Sequence, residues 1–234
     1  MKRYALLLIL PLLAPAATSV AGMVDDPLLT RVLVDQAEVR AGDGDDPFAW
    51  DAEGWTGYDL NKLWIKTDGD YVNGGVEEAE LQVLYSRAVA PFWDLQAGWR
   101  GDLRPRPDRN WLALGVKGLA PYFFDIDAAV FVGESGRTAA RLQAEYEILF
   151  TQRLILVPDF ELNLYGRDDP ATGIGSGISD LELGLRLRYE IRREFAPYVG
   201  INWIHLYGRT ADYAREEGSD ADDFRFVVGI RAWF

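Results

Sequence analysis

Asp222-Asp-Phe-Arg-Phe-Val-Val-Gly-Ile-Arg-Ala-Trp-Phe234 closes the chain. Phe224, Phe226, Val228, Ile230, Ala232 and Phe234 are apolar at every second position, and Arg225 and Arg231 stand between them. Two residues is the period of a β-strand, so this strand has one apolar and one charged face. The fold depends on which solvent covers the apolar one.

The pattern is repeated upstream. From Leu181 to Ile191 the odd positions are all apolar, and the even ones are Glu182, Gly184, Arg186, Arg188 and Glu190. Between Arg141 and Phe150, Leu142, Ala144, Tyr146, Ile148 and Phe150 alternate with Arg141, Gln143, Glu145 and Glu147. Further strands are expected over 30–40, 48–54, 57–67, 76–88, 92–102, 110–119, 122–133, 153–166 and 196–207. Tight connections at Ala90-Pro91, Ala120-Pro121, Thr151-Gln152-Arg153 and Glu194 to Pro197 alternate with long polar ones over 68–75, 104–109, 166–179 and 209–222. Short turns at one end and long loops at the other define an up-and-down meander. A break near Gly54-Trp55-Thr56-Gly57 makes the count even. The expected fold is all-β, a transmembrane up-and-down antiparallel β-barrel of about 12 strands, or ten if 30–40 or 48–54 lies outside it.

Alternation alone also fits a soluble sandwich. The start of the chain argues otherwise. Met1-Lys2-Arg3, an apolar run over 5–14 and the small residues Ser19-Val20-Ala21 have the layout of a secretory signal peptide over 1–21, cut after Ala21. A short periplasmic segment over 22–29 would then lead into a barrel over 30–234. The loops are asymmetric, the last residue is aromatic, and Trp93, Trp99, Tyr146, Phe150, Tyr189 and Trp203 fall near strand ends, as interfacial girdles require. Lipid is therefore expected on the apolar face. No later segment has the eighteen consecutive apolar residues of a membrane-spanning helix. The chain has no cysteine, so the fold must hold without disulfides. Its net charge is −13, or −15 once Lys2 and Arg3 leave, which argues against nucleic acid as a partner.

With the apolar face in lipid, the charged face lines the lumen. Asp94, Arg100, Arg141, Glu182, Arg186, Arg188, Glu190, Arg225 and Arg231 are assigned there, together with six acids that are candidate cation contacts: Asp125, Asp127, Glu145, Glu147, Asp159 and Glu161. Carboxylates suit hard or borderline cations without distinguishing them sharply. The same residues could equally form an ion-pair network that fills and stiffens the barrel.

Motifs for catalysis are nearly absent. His205, in Trp203-Ile-His-Leu-Tyr207, is the sole histidine and cannot supply a multi-histidine metal site. Near the end of a strand and flanked by aromatics, it reads as an interfacial or packed residue. Gly173-Ile-Gly-Ser-Gly177 follows Asp168-Asp169-Pro170 and opens no helix, so it reads as a flexible loop. Asp43, Asp45 and Asp46 have the start of a calcium loop without its remaining ligands.

Several stretches together resemble the outer-membrane copper-resistance protein B family. They include Gly57-Tyr-Asp-Leu-Asn-Lys-Leu-Trp64, Ala90-Pro-Phe-Trp-Asp-Leu-Gln-Ala-Gly98, Thr151-Gln-Arg-Leu-Ile-Leu156, Glu161-Leu-Asn-Leu-Tyr-Gly166 and Gly184-Leu-Arg-Leu-Arg-Tyr-Glu190 leading to Phe195-Ala-Pro-Tyr-Val-Gly200. The resemblance implies a β-barrel in the outer membrane of a Gram-negative bacterium, with a part in copper handling. Members of that family commonly carry a Met- and His-rich segment before the barrel, which this chain does not show; Met23 is its sole methionine after the expected leader. Weak or transient copper contact through barrel oxygens, His205 and Met23, or soft ligands from a periplasmic copper protein, is then expected. The reading is a non-enzymatic barrel in copper-ion homeostasis, by passage or weak binding. The alternative is a structural, charge-plugged barrel whose loops bind a partner and which transports nothing.

Overall fold

The computed structural model describes residues 26–234. The expected leader over 1–21 and Met23 lie outside the described residues.

Twelve antiparallel strands close into a barrel. In chain order they are β1 (Leu29–Ala41), β2 (Phe48–Gly57), β3 (Asn61–Val72), β4 (Gly75–Ala90), β5 (Trp93–Arg104) and β6 (Arg109–Ala120). There follow β7 (Phe124–Gly133), β8 (Thr138–Glu145, continuing at Ile148–Leu149), β9 (Leu154–Tyr165), β10 (Gly177–Tyr189), β11 (Phe195–Leu206) and β12 (Asp222–Trp233). A helix, α1 (Gly208–Glu216), lies in the connection between β11 and β12. Each strand pairs with its neighbours in sequence, and β12 pairs with β1. Phe234 itself exchanges both backbone hydrogen bonds with Val32, at 2.9 and 3.0 Å, so the last residue belongs to the closing seam.

The interruption in β8 has a simple cause. Tyr146 donates its N–H to the carbonyl of Pro158 on β9, and proline has no N–H to return. Register is kept across the gap, with Glu145 opposite Asp159 on one side and Ile148 opposite Leu156 on the other.

Two expected boundaries move. The chain does not turn at Gly54-Gly57: Trp55 and Thr56 stay paired with Trp64 and Leu63, and the turn falls at 58–60. The polar stretch over 68–75 is a continuous hairpin instead of a long loop, because Asn73 and Gly74, with φ of 48° and 89°, form a two-residue turn of the kind Asn-Gly favours. Both 30–40 and 48–54 are wall strands, which sets the ten-strand alternative aside.

Alternation sorts the faces as the sequence requires. On β12, Phe226 is 64% exposed and Val228 62%, while Val227 between them is 1% exposed and points inward. Phe48, Tyr71, Trp99 and Phe224 are exposed toward the long-loop end, and Tyr85, Phe124, Tyr189 and Phe195 toward the short-turn end. These are the two aromatic belts of a membrane barrel. The interior is not uniformly polar. Trp64, Leu84, Trp111, Ala113, Phe131 and Ala139 pack as an apolar cluster against the inner wall of β3, β4 and β6–β8.

Val228 lies midway along β12, so Val228→Arg should lower the folding free energy in lipid by about 2–4 kcal/mol, as expected for a guanidinium at the bilayer midplane. Urea-dependent folding into phosphatidylcholine vesicles measures it. A change below 1 kcal/mol, on the same scale, would place this face away from hydrocarbon.

Candidate functional site

Inside the barrel is a cavity of about 680 Å³. It extends from the long-loop end, where Asp169, Thr172 and Glu217 line it, down to Arg31, Lys117 and Asp125 in the opposite half. Seventeen acidic and eleven basic side chains line it, so its field favours cations.

Ion pairs cross this lumen in layers. Arg186 on β10 makes a bidentate pair with Glu38 on β1, three strands away round the wall, at 2.8 and 2.9 Å. Glu38 also accepts from Arg40 and from the Tyr198 hydroxyl, both at 2.9 Å, and is 0% exposed. Arg141 on β8 reaches Glu80 on β4 at 3.0 and 3.1 Å, and Arg100 joins the same carboxylate at 2.8 Å. Lys117 on β6 bonds Glu53 on β2 at 2.7 Å, and Lys66 on β3 bonds Asp127 on β7. These are four struts across the tube. Lys66 and Lys117 also lie over the Trp64 ring, at 5.8 and 5.1 Å, where the apolar cluster supports them.

The acids singled out from the sequence divide into two groups. Asp127, Asp159, Glu147 and Glu161 are neutralised by Lys66, Arg186, Arg188 and Arg141 respectively. Asp125 and Glu145 have no ion-pair partner among the described residues. The register places Asp125, Glu145 and Asp159 directly opposite one another across β7, β8 and β9. His205 does not join them. It shares the outward parity of Val199 and Trp203, stacks on Trp203, meets Tyr207 edge-on at 4.5 Å and bonds Asp222 at 2.6 Å through Nδ1. The lumen acids and the histidine therefore cannot share one ion.

A second row runs Asp51, Asp68, Glu80 across β2, β3 and β4, and Asp70 stands opposite Glu78 beside it. Like charges directly opposite on a sheet are destabilising unless something compensates them. These positions were missed from the sequence, as were Glu38, Glu53, Lys66 and Lys117. One signal was available: all three lysines of the described chain fall on the charged parity of their strands, and all three pair inward. Among the described residues, no three His, Cys, Asp or Glu approach closely enough to form a metal-ligand set.

The stretch over 166–176, part of the expected long polar connection over 166–179 and holding most of the glycine-rich loop over 173–177 read as flexible, is pinned. Asp169 accepts from Arg109 at 2.8 and 3.0 Å and lies 3.1 Å from Arg137, and its side chain is 12% exposed. Asp168 caps Ser176 N–H at 2.7 Å, and Gly175 N–H donates to Thr210 Oγ1 of α1 at 2.9 Å. The Arg109 hydrogen bonds hold the Asp169 carboxyl below the ordinary carboxylate range. A depressed folded pKa means the pair is fully formed above the unfolded value of about 3.9 and is lost only as pH falls through the lowered one.

A closed barrel with an apolar outer band, two aromatic belts and a charged lumen defines a porin-like protein of the outer membrane. Among solved structures it is similar to the NanC porin, with a TM-score of 0.57 and 11% identity, over 87% of this chain and 99% of that one, a likeness of fold alone. The family model described as copper resistance protein B precursor (CopB) matches residues 28–234, and the chain belongs to that family. It is 48% identical to "Copper resistance protein B" of Escherichia coli over 90% of its own length and 71% of that protein's. It is 46% identical, with the same coverage, to "Copper resistance protein B homolog" of Pseudomonas syringae pv. tomato (strain ATCC BAA-871 / DC3000).

Arg186→Ala should destabilise the barrel by about 3–5 kcal/mol, because it takes the bidentate partner from the fully buried Glu38 and the cation from Asp159. Asp212→Ala, which breaks an exposed pair with Arg215 on α1, should change stability by less than about 1 kcal/mol. The temperature at which heat-modifiable gel migration is lost reads both. Equal midpoints would sink the strut assignment.

Proposed function

We propose that the barrel takes part in copper-ion homeostasis as a non-enzymatic cation path, by passage or weak, transient binding of copper in its lumen. The observation that carries this reading is the Asp125–Glu145–Asp159 row, two of whose members lack a cationic partner among the described residues, in a cavity where acids outnumber bases. A mobile cation can relieve that repulsion without becoming trapped, since oxygen ligands bind borderline ions loosely and without strong preference. Copper comes into the reading through the family, whose named members are copper resistance proteins. Soft ligands, where Cu(I) must be held, would come from a periplasmic copper protein; His205, outside the lumen, would take part only at the rim.

The four cross-lumen struts favour a second reading, a charge-plugged barrel that is structural and transports nothing. Asp125→Asn with Glu145→Gln separates the two, since neither residue is needed to balance a described cation. In planar bilayers under a potassium chloride gradient, the parent should show a cation-selective reversal potential. The double variant should move it toward zero and slow Cu(II) entry into chelator-loaded vesicles severalfold. Titration calorimetry should show Cu(II) binding that Mg²⁺ competes away, and little binding of Cu(I). A parent that conducts no ions supports the plug, and a tight stoichiometric Cu(I) site would overturn the weak-binding reading.

A further inference from the structure

We propose that residues 166–176 form a latched lid over the outer mouth of the lumen, with the carboxylate of Asp169 as the latch and Arg109 and Arg137 as its keeper. The segment joins β9 to β10, yet it does not stand up from that hairpin. Asp169, Thr172, Gly173 and Ile174 line the cavity, so the segment lies inward across the opening. Its reach is long: Arg109 begins β6 and Arg137 immediately precedes β8, so Asp169 is tied to the rim up to three strands from its own.

The opposite side of the segment is fastened to a second cover. Thr210 of α1 is buried, accepts from Gly175 N–H and lies 3.0 Å from the Ser179 hydroxyl, while Tyr207 N–H donates to the Ser179 carbonyl at 2.8 Å. Tyr213, Ala214 and Glu217 of the same helical connection line the cavity beside the segment. Loop and helix therefore roof the mouth together. Arg167, at the strand end of the segment, adds a hydrogen bond to the Ser135 carbonyl at 3.0 Å. The two main attachments differ in kind. The Thr210 side uses backbone and hydroxyl groups near the strand ends, whereas the Asp169 side is a bidentate charge-assisted pair made by one side chain.

Such a pair is the part that can let go. Within the segment, Asp168 closes a turn onto Ser176, and Asp169 pairs its backbone with Ile174, so residues 168–176 hold their own shape without the rim. Releasing one carboxylate would then free a preformed flap instead of melting a loop, the arrangement a two-state cover requires. The proposal builds on the lumen as a cation path, but its test uses no metal.

The chain has no cysteine, so a single Ala129→Cys on β7 places a unique thiol in the cavity beneath the roof. In nanodiscs, the rate at which a neutral maleimide modifies this thiol, read by intact-protein mass spectrometry, reports access to the lumen. Combined with Asp169→Asn or Arg109→Gln, the rate should rise by about tenfold or more, as loss of a charge-assisted latch shifts the closed population. Asp169→Glu should stay near the parent, and so should Asp212→Asn on the exposed face of α1. Heat-modifiable migration confirms that each variant is folded. Equal labelling in the parent and Asp169→Asn, or a parent already labelled as fast as free cysteine, overturns the lid. A faster rate in a barrel without cation selectivity would keep the lid and remove the cation path.

Discussion

Every backbone N–H and C=O that faces hydrocarbon must find its partner within the protein, because an orphan there costs several kcal/mol. Closure of β12 onto β1 meets that demand. The seam runs from Ala41 opposite Phe226 to Leu33 opposite Trp233, and Phe234 extends it to Val32. Without that last ladder two edges would face lipid, so the alternation of the final strand is the condition for the barrel to exist.

Closure moves the charge problem inward. Alternation that puts Phe226 and Val228 in lipid puts Arg225 and Arg231 in the tube, and the same holds on the other strands. Buried charges are tolerated when paired and fully hydrogen-bonded. The most enclosed group meets that standard: Glu38 receives two bonds from Arg186 and one each from Arg40 and Tyr198. The planar guanidinium suits such bidentate work, and arginine takes it on the β8–β1 side, whereas the lysines reach across as single-point struts from β3 and β6.

Most of the architecture was legible because period two is hard to counterfeit over many strands. What escaped has local causes. In β1 an extra residue bulges between Val34 and Ala37, so that Asp35 and Gln36 both face inward and the parity flips before Glu38 and Arg40. A reader counting twos through 30–40 loses the phase there, and with it the central carboxylate. On β3, β4 and β6 the inward positions include Trp64, Leu84 and Trp111, which blur the contrast between faces and hide the neighbouring Lys66, Glu80 and Lys117. Asp169 was invisible for another reason. Loop composition says nothing of which rim a loop will reach, and its partners Arg109 and Arg137 lie 60 and 32 positions away.

The distribution of acids separates stability from any traffic of ions. Where a carboxylate completes a strut, as Glu38, Glu53, Glu80 and Asp127 do, its charge is consumed by the wall and has little left for a passing cation. Where the register sets acid against acid, as at Asp125–Glu145 and Asp70–Glu78, none of the four carboxylates has an ion-pair partner among the described residues, and like charges facing each other on a sheet carry a cost. Local rules are broken in native proteins chiefly where function requires it. The two kinds of acid are interleaved along the same strands, so a cation moving down the lumen would meet loose oxygen contacts held apart by a rigid frame of struts. On the proposed cation path, that arrangement would favour brief residence over capture.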